Sequence, residues 1–125
     1  MKTYKVEVDL YGDIRWYNEE GQYHREGGPA VECTDGTKYW YKNDQLHRED
    51  GPAIEYPDGT NVWYINGRRH REDGPAIEHA NGTKEWYKNG EQLIETEFNA
   101  RNNVVEVSIE EIEKILGHKV KIVKG

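Results

Sequence analysis

The chain has 125 residues, length for one domain rather than two. Hydrophobic residues make up 34% and the net charge is −7, so a thick oily core is excluded; four Trp and nine Tyr are what separate this composition from a disordered one. No stretch is apolar enough to cross a bilayer and the opening MKTYKVEV lacks a signal-type apolar run, so a soluble cytoplasmic protein is expected, and the single Cys33 rules out an internal disulfide.

Residues 1–23 hold a decayed copy of a unit that then becomes plain. Gly12 and Trp16-Tyr17 are in place, with one extra residue between Trp16 and His24. His24-Arg25-Glu26, His47-Arg48-Glu49 and His70-Arg71-Glu72 fall 23 residues apart, and residues 47–69 set over 70–92 give 15 identities in 23. Repeats therefore lie near 1–23, 24–46, 47–69 and 70–97. The last one loses its next His, because Leu93 stands in that place.

Turn chemistry inside the unit selects strand over helix. Asp35-Gly36, Asp58-Gly59 and Asn81-Gly82 precede the Trp segments, and Asn66-Gly67 and Asn89-Gly90 follow them. Both pairs suit two-residue hairpin turns, in which the central residues take positive φ. Between the turns stand aromatic and β-branched runs such as Thr60-Asn61-Val62-Trp63-Tyr64-Ile65. The expected fold is mainly β, an antiparallel meander or solenoid of hairpin repeats over residues 1–98, with two main strands per repeat and a short third segment near His-Arg. Alternation puts Trp63 and Tyr64, or Ile54 and Glu55, on opposite faces, and the aromatic rows are expected to supply the burial that Leu does not.

Trp40 to Gly51 (WYKNDQLHREDG) and Trp63 to Gly74 (WYINGRRHREDG) carry a turn-aromatic-x-N-G-x-x-H pattern that resembles MORN-type repeats over about residues 12–97. The H-R-E-D-G-P-A-I-E variant resembles a subgroup common in bacteriophage and mobile-element proteins. It departs from the usual pattern where Arg48 or Arg71 replaces the Gly after His and one more residue precedes the next Gly. The resemblance implies single-layered sheets of stacked hairpins and a binding scaffold rather than a chemistry.

After Phe98 the pattern changes. Residues 104–107 read as a strand, Ser108–Gly117 as a helix with a capping box (Ser108, Glu111) and Gly117 at C′, and residues 118–123 as a strand. This strand-helix-strand segment, 99–125, is expected to cap the open edge of the last hairpin; binding a partner or a second copy is the alternative.

Residues 1–100 hold 12 Lys or Arg against 20 Asp or Glu, while 101–125 hold five against four. An acidic sheet argues against direct nucleic-acid binding and permits docking onto a basic surface, including that of a host nucleic-acid-binding enzyme. The most enzyme-like residues recur, and repetition argues against an active site, which needs one asymmetric constellation. His24, His47 and His70 are expected as hydrogen-bonded turn residues, with Arg48 and Arg71 paired to neighbouring acids. The functional alternative is a row of His24, Arg25, His47, Arg48, His70 and Arg71 gripping an anion such as a nucleotide. Equivalent residues about 10 Å apart on alternate strands do not converge on a metal, so no metal and no cofactor are expected. Cys33 shares its register with Tyr56 and His79 and has no dedicated base, Glu110 and Glu111 diverge on their helix, and no phosphate-loop, zinc-protease or serine-hydrolase motif is present.

Residues that leave the register are where specificity can reside. Tyr39, Tyr56, Arg68, Arg69 and His79 are accordingly the candidate partner-binding residues; Tyr39 aligns with Val62 and Glu85, and Arg68-Arg69 with Glu91-Gln92. Together with the resemblance, the charge points to a non-catalytic protein-binding module, a phage-encoded inhibitor of a host defence enzyme in the manner of an anti-CRISPR protein. A nucleotide sponge and a structural or assembly protein are the other readings, and a homodimer through the C-terminal segment or a sheet edge stays open.

Overall fold

The computed structural model describes residues 4–103 and 108–118. Its elements are, in chain order, β1 (Lys5–Val8), β2 (Ile14–Tyr17), β3 (Val31–Glu32), β4 (Lys38–Tyr39), β5 (Tyr41–Lys42), β6 (Gln45–Leu46), β7 (Ile54–Glu55), β8 (Asn61–Val62), β9 (Tyr64–Ile65), β10 (Arg68–Arg69), β11 (Ile77–Glu78), β12 (Lys84–Lys88), β13 (Glu91–Leu93), α1 (Glu95–Asn102) and α2 (Ile109–Leu116). Nine of the strands form one antiparallel sheet in the order β1-β2-β3-β4-β7-β8-β11-β12-β13, while β5-β6 and β9-β10 are separate two-stranded ladders. The fold is mainly β, as expected. Residues 47–69 hold four short strands rather than two and a fragment, because the ladder breaks at Trp40 and Trp63 and the chain leaves the sheet there to make a hairpin. In the last unit β12 runs unbroken through Trp86.

Two kinds of turn punctuate the chain, and only one is the two-residue kind. Asn66 (φ 49°) and Gly67 (φ 79°) form it, as do Asn89-Gly90, and Asn43-Asp44 manages it without glycine. The Asp-Gly corners differ. Tyr56 donates its N–H to the Thr60 carbonyl, Gly59 donates to Tyr56, and only Gly59 has positive φ. That is a three-residue loop closed by a glycine bulge, with the Asp58 carboxylate accepting the Thr60 N–H at 2.8 Å. Cys33–Thr37 and His79–Thr83 close in the same way.

Register sorts the sheet into two rows. Arg15, Val31, Tyr39, Ile54, Val62, Ile77 and Glu85 stand opposite one another across seven strands, and Ile14, Glu32, Lys38, Glu55, Asn61, Glu78 and Lys84 make the alternate row. The first row is the core side. Ile54, Val62 and Ile77 pack there with Ala76 and Tyr87, flanked by Tyr39, Leu46, Trp63 and Tyr64, so the hairpins cover the sheet's apolar row. Ala30, Ala53 and Ala76 are fully buried. The aromatic rows carry less of the burial than expected: none of the four Trp is in the core, and each is half-buried instead.

The C-terminal expectation needs revision. The helix at Ile109–Leu116 forms, with Ser108 accepting the Glu111 N–H and Gly117 left-handed at its end, yet none of its residues is buried. The cap on the last hairpin is the unforeseen α1, whose Phe98 is buried and which spans the expected boundary at residue 98. The strands expected at 104–107 and 118–123 fall outside the described residues, apart from His118, which is not in a strand. Among the described residues, no helix is long and apolar enough to cross a membrane.

Candidate functional site

The His-Arg-Glu-Asp-Gly-Pro segment has a structural reason for each letter. His47 Nδ1 accepts the backbone N–H of Asn66 at 3.0 Å, and His24 and His70 do the same for Asn43 and Asn89. Each imidazole therefore fixes the start of a hairpin turn 19 residues ahead. An accepting Nδ1 leaves the ring proton on Nε2, which faces Glu49 at 3.4 Å in one unit and Glu72 in the next.

The following arginine lies flat on the preceding tryptophan. Arg48 Cζ is 3.9 Å from the centre of Trp40, Arg71 is 3.9 Å from Trp63, and Arg25 is 4.1 Å from Trp16. Arg48 also donates to Asp50 at 3.1 Å, to the Pro52 carbonyl at 3.0 Å and to Glu55 at 3.0 Å, and Arg71 repeats this with Asp73, Pro75 and Glu78. Two carboxylates balance each of these guanidinium groups, so an incoming anion would have to displace one. A Cβ at Gly51 would stand 2.9 Å from Arg48 Cζ, so the guanidinium would have to shift; at Gly74 the distance to Arg71 Cζ is 3.1 Å, a tight contact that asks for a smaller shift.

The carboxylates in these pairs are the partners most open to solvent. The side chains of Glu49, Asp50, Glu72 and Asp73 are 73–88% exposed. They rim a groove over Trp63 that also takes in Gly51 and Ile65, and an equivalent groove over Trp40 is lined by Glu26, Glu49 and Asp50 together with Arg25 and Lys42. The Glu72 carboxyl is held below its ordinary range, first by the Lys88 ammonium at 2.8 Å and then by His70.

A third groove, over Trp86, is walled on one side by the chain itself. Ile94 stands where the earlier units have their arginine, so Trp86 has no guanidinium lid, and Phe98 of α1 lines this groove instead, 2% exposed. Lys88 Nζ sits 5.0 Å from the Phe98 ring, Asn102 donates to the Glu72 carbonyl at 2.7 Å, and Arg101 pairs with Glu91 at 3.3 Å. Phe98 and Asn102 of α1 thus line the groove beside Trp86, while Arg101 anchors the helix to β13 outside it.

The candidate partner-binding residues are dispersed. Tyr39 lies half-buried in the core-side row between Val31 and Ile54, where burial pushes its hydroxyl pKa up. Tyr56 is exposed at a turn, and His79 Nε2 pairs with Glu85 at 2.6 Å. Arg68 and Arg69 are exposed on the hairpin ladder; Arg69 donates to the Tyr64 hydroxyl at 3.3 Å and lies over the Tyr87 ring. Cys33 closes a turn, and burial raises its thiol pKa, which disfavours the nucleophilic thiolate. Glu110 and Glu111 sit exposed in the first turn of α2. Among the described residues, no group of three His, Cys, Asp or Glu is placed to hold a metal.

Sequence reasoning took Glu49, Asp50, Glu72 and Asp73 as arginine partners and placed docking on the acidic sheet as a whole, without singling out these grooves, and it passed over Phe98. The signal was present: loss of the His-Arg pair at Leu93-Ile94 leaves Trp86 uncovered, so another side chain has to cover it. No family model, curated protein or solved structure matches the chain, so the reading of these grooves rests on its own residues.

Proposed function

We propose that this protein is a non-catalytic scaffold of MORN-like hairpin units that binds one partner protein, with the acidic grooves over Trp40 and Trp63 as the contact surface. The observation that supports the reading is α1 beside Trp86, where a segment with one buried aromatic, Phe98, and an amide, Asn102, packs along the third groove while its one cation, Arg101, pairs with Glu91 of β13; the other two grooves would accept an aromatic and a cation presented in this way. Acidic rims draw such a segment from a basic surface, and a nucleic-acid-handling enzyme presents one. Occupying that surface inhibits the enzyme, and this is the role the phage-like character of the repeats favours. Arg68 and Arg69 immediately precede His70, which lines the Trp63 groove, and supply a basic point for selectivity.

The test is affinity capture by the full chain from a bacterial lysate, compared with a Glu49→Lys/Glu72→Lys variant. Wild type should retain one nucleic-acid-handling protein, and the variant should lose it by about tenfold or more with its circular dichroism unchanged. Arg68→Glu/Arg69→Glu separates the basic point, since a change of partner spectrum assigns it selectivity. Capture that ignores the Glu49/Glu72 reversal, or nucleotide co-purifying with the protein as excess ultraviolet absorbance, overturns the reading.

A further inference from the structure

The two ends of the nine-stranded sheet are treated differently. At one end α1 packs on β12 and ties down β13 through Arg101 and Glu91. At the other, β1 is exposed along its whole length, with Val6 48% and Val8 64% exposed, and no described strand pairs with its outer side. Unpaired edges of this kind are templates for further pairing unless something blocks them. Neither proline nor a bulge interrupts β1.

Which backbone groups face outward follows from β2. Trp16 donates its N–H to Ala30 at 2.7 Å and accepts the N–H of His24 at 3.1 Å, so both of its main-chain groups point away from β1. Val6 stands directly opposite Trp16, which makes theirs a non-hydrogen-bonded pair. The β1–β2 bonds therefore come from Lys5 and Glu7, and Val6, with Tyr4 and Val8 two residues to either side, presents N–H and C=O to the outer edge.

We infer that β1 pairs antiparallel with β1 of a second copy of this chain, on a two-fold axis through Val6. In that register Val6 faces Val6 once, on the axis, while Tyr4 faces Val8 and Lys5 faces Glu7 twice each by symmetry. The three outward residues become hydrogen-bonded pairs, about six N–H···O bonds in all. On one face the apolar Tyr4, Val6 and Val8 meet their like; on the other, two Lys-Glu pairs form. Neighbouring registers fail on charge. Moving the two-fold axis by one residue sets Glu7 against Glu7 or Lys5 against Lys5, and moving it two residues toward the C-terminus sets Glu7 against Asp9. Only the Val6 register joins apolar to apolar and opposite to opposite along the whole edge.

Five paired residues are a small contact beside the ~1,200–2,000 Å² of a stable interface, so the dimer is concentration-dependent. Sedimentation velocity of the full chain from about 10 μM to about 1 mM spans the relevant affinities. The mass should rise from 14.6 kDa toward twice that value. Val6→Lys, at a half-exposed side chain, should hold it monomeric, and Val6→Pro should do the same, because the lost N–H points outward. Lys5→Glu should weaken association about tenfold by setting Glu against Glu, and adding Glu7→Lys should restore it with the charges exchanged. A chain that stays monomeric throughout overturns the inference. So does a dimer indifferent to Val6→Lys, one lost instead on Ile112→Lys in α2, or a Lys5→Glu defect that Glu7→Lys does not repair.

Discussion

At the scale of single residues, the recurring glycine after Glu-Asp is a packing requirement rather than a turn requirement. Gly51 has no positive φ, and its hydrogen faces the Arg48 guanidinium, which lies on Trp40 and binds Glu55. Gly51→Ala should cost about 1–2 kcal/mol by prising Arg48 from its ring and its carboxylates. Because the whole effect runs through one side chain, it should nearly vanish in an Arg48→Ala background, which a double-mutant cycle on thermal or urea unfolding measures. Additive losses would show that Gly51 acts through something other than Arg48. Gly59 is the contrasting case: no atom crowds a Cβ there, but φ is +95°, so the cost of Ala comes from the backbone alone.

Among the elements, α1 is the one whose stability is borrowed. It has eight residues, its N-cap Ile94 makes no side-chain capping bond, and its one buried residue is Phe98. A helix this short is not stable on its own, so Phe98 against the Trp86 groove is what forms it. Phe98→Ala should cost about 3–5 kcal/mol if the site behaves as a core position. It should also melt α1 while leaving the β1–β11 part of the sheet, seen as lost helical signal in circular dichroism and faster amide exchange confined to α1, β12 and β13. Uniform loss of protection across the sheet would refute that local role. The hairpins contrast with this, since their turns are specified by Asn-Gly and then held from outside by the histidine that opens the same unit.

For the whole molecule, a thin core leaves carboxylates a large part in stability. Asp35 and Asp58 sit below the ordinary 3.8 of an Asp because they accept the Thr37 and Thr60 N–H groups, Asp9 is lowered chiefly by its bond to Arg15, and Glu72 is lowered by Lys88 and His70. A group whose pKa is lower folded than unfolded stabilises fully above its unfolded value, and that contribution is lost as pH falls through the folded one. The melting temperature should therefore hold from neutrality to about pH 5 and fall below it, following the ordinary Asp and Glu values. Asp35→Asn/Asp58→Asn should flatten the decline, because Asn keeps an acceptor for the turn without titrating. A melting temperature that rises on acidification would mean that relief of the −7 net charge outweighs these bonds.

The sequence by itself determined the β class, the strand and turn punctuation, and the recurrence of identical contacts 23 residues apart, because periodic burial and turn residues act over a few neighbouring positions. It also determined the capped helix at 109–116, whose signals are local. Only the tertiary structure decided that Arg48 and Arg71 are consumed by Trp, Pro and Glu partners, that Tyr39 belongs to the core-side row, and that α1 lines the last groove. Each of these depends on which side chains meet across units or between a hairpin and the sheet. Identical residues at identical spacing are compatible with a solvent-facing row or a neutralised one, and only three-dimensional pairing distinguishes them.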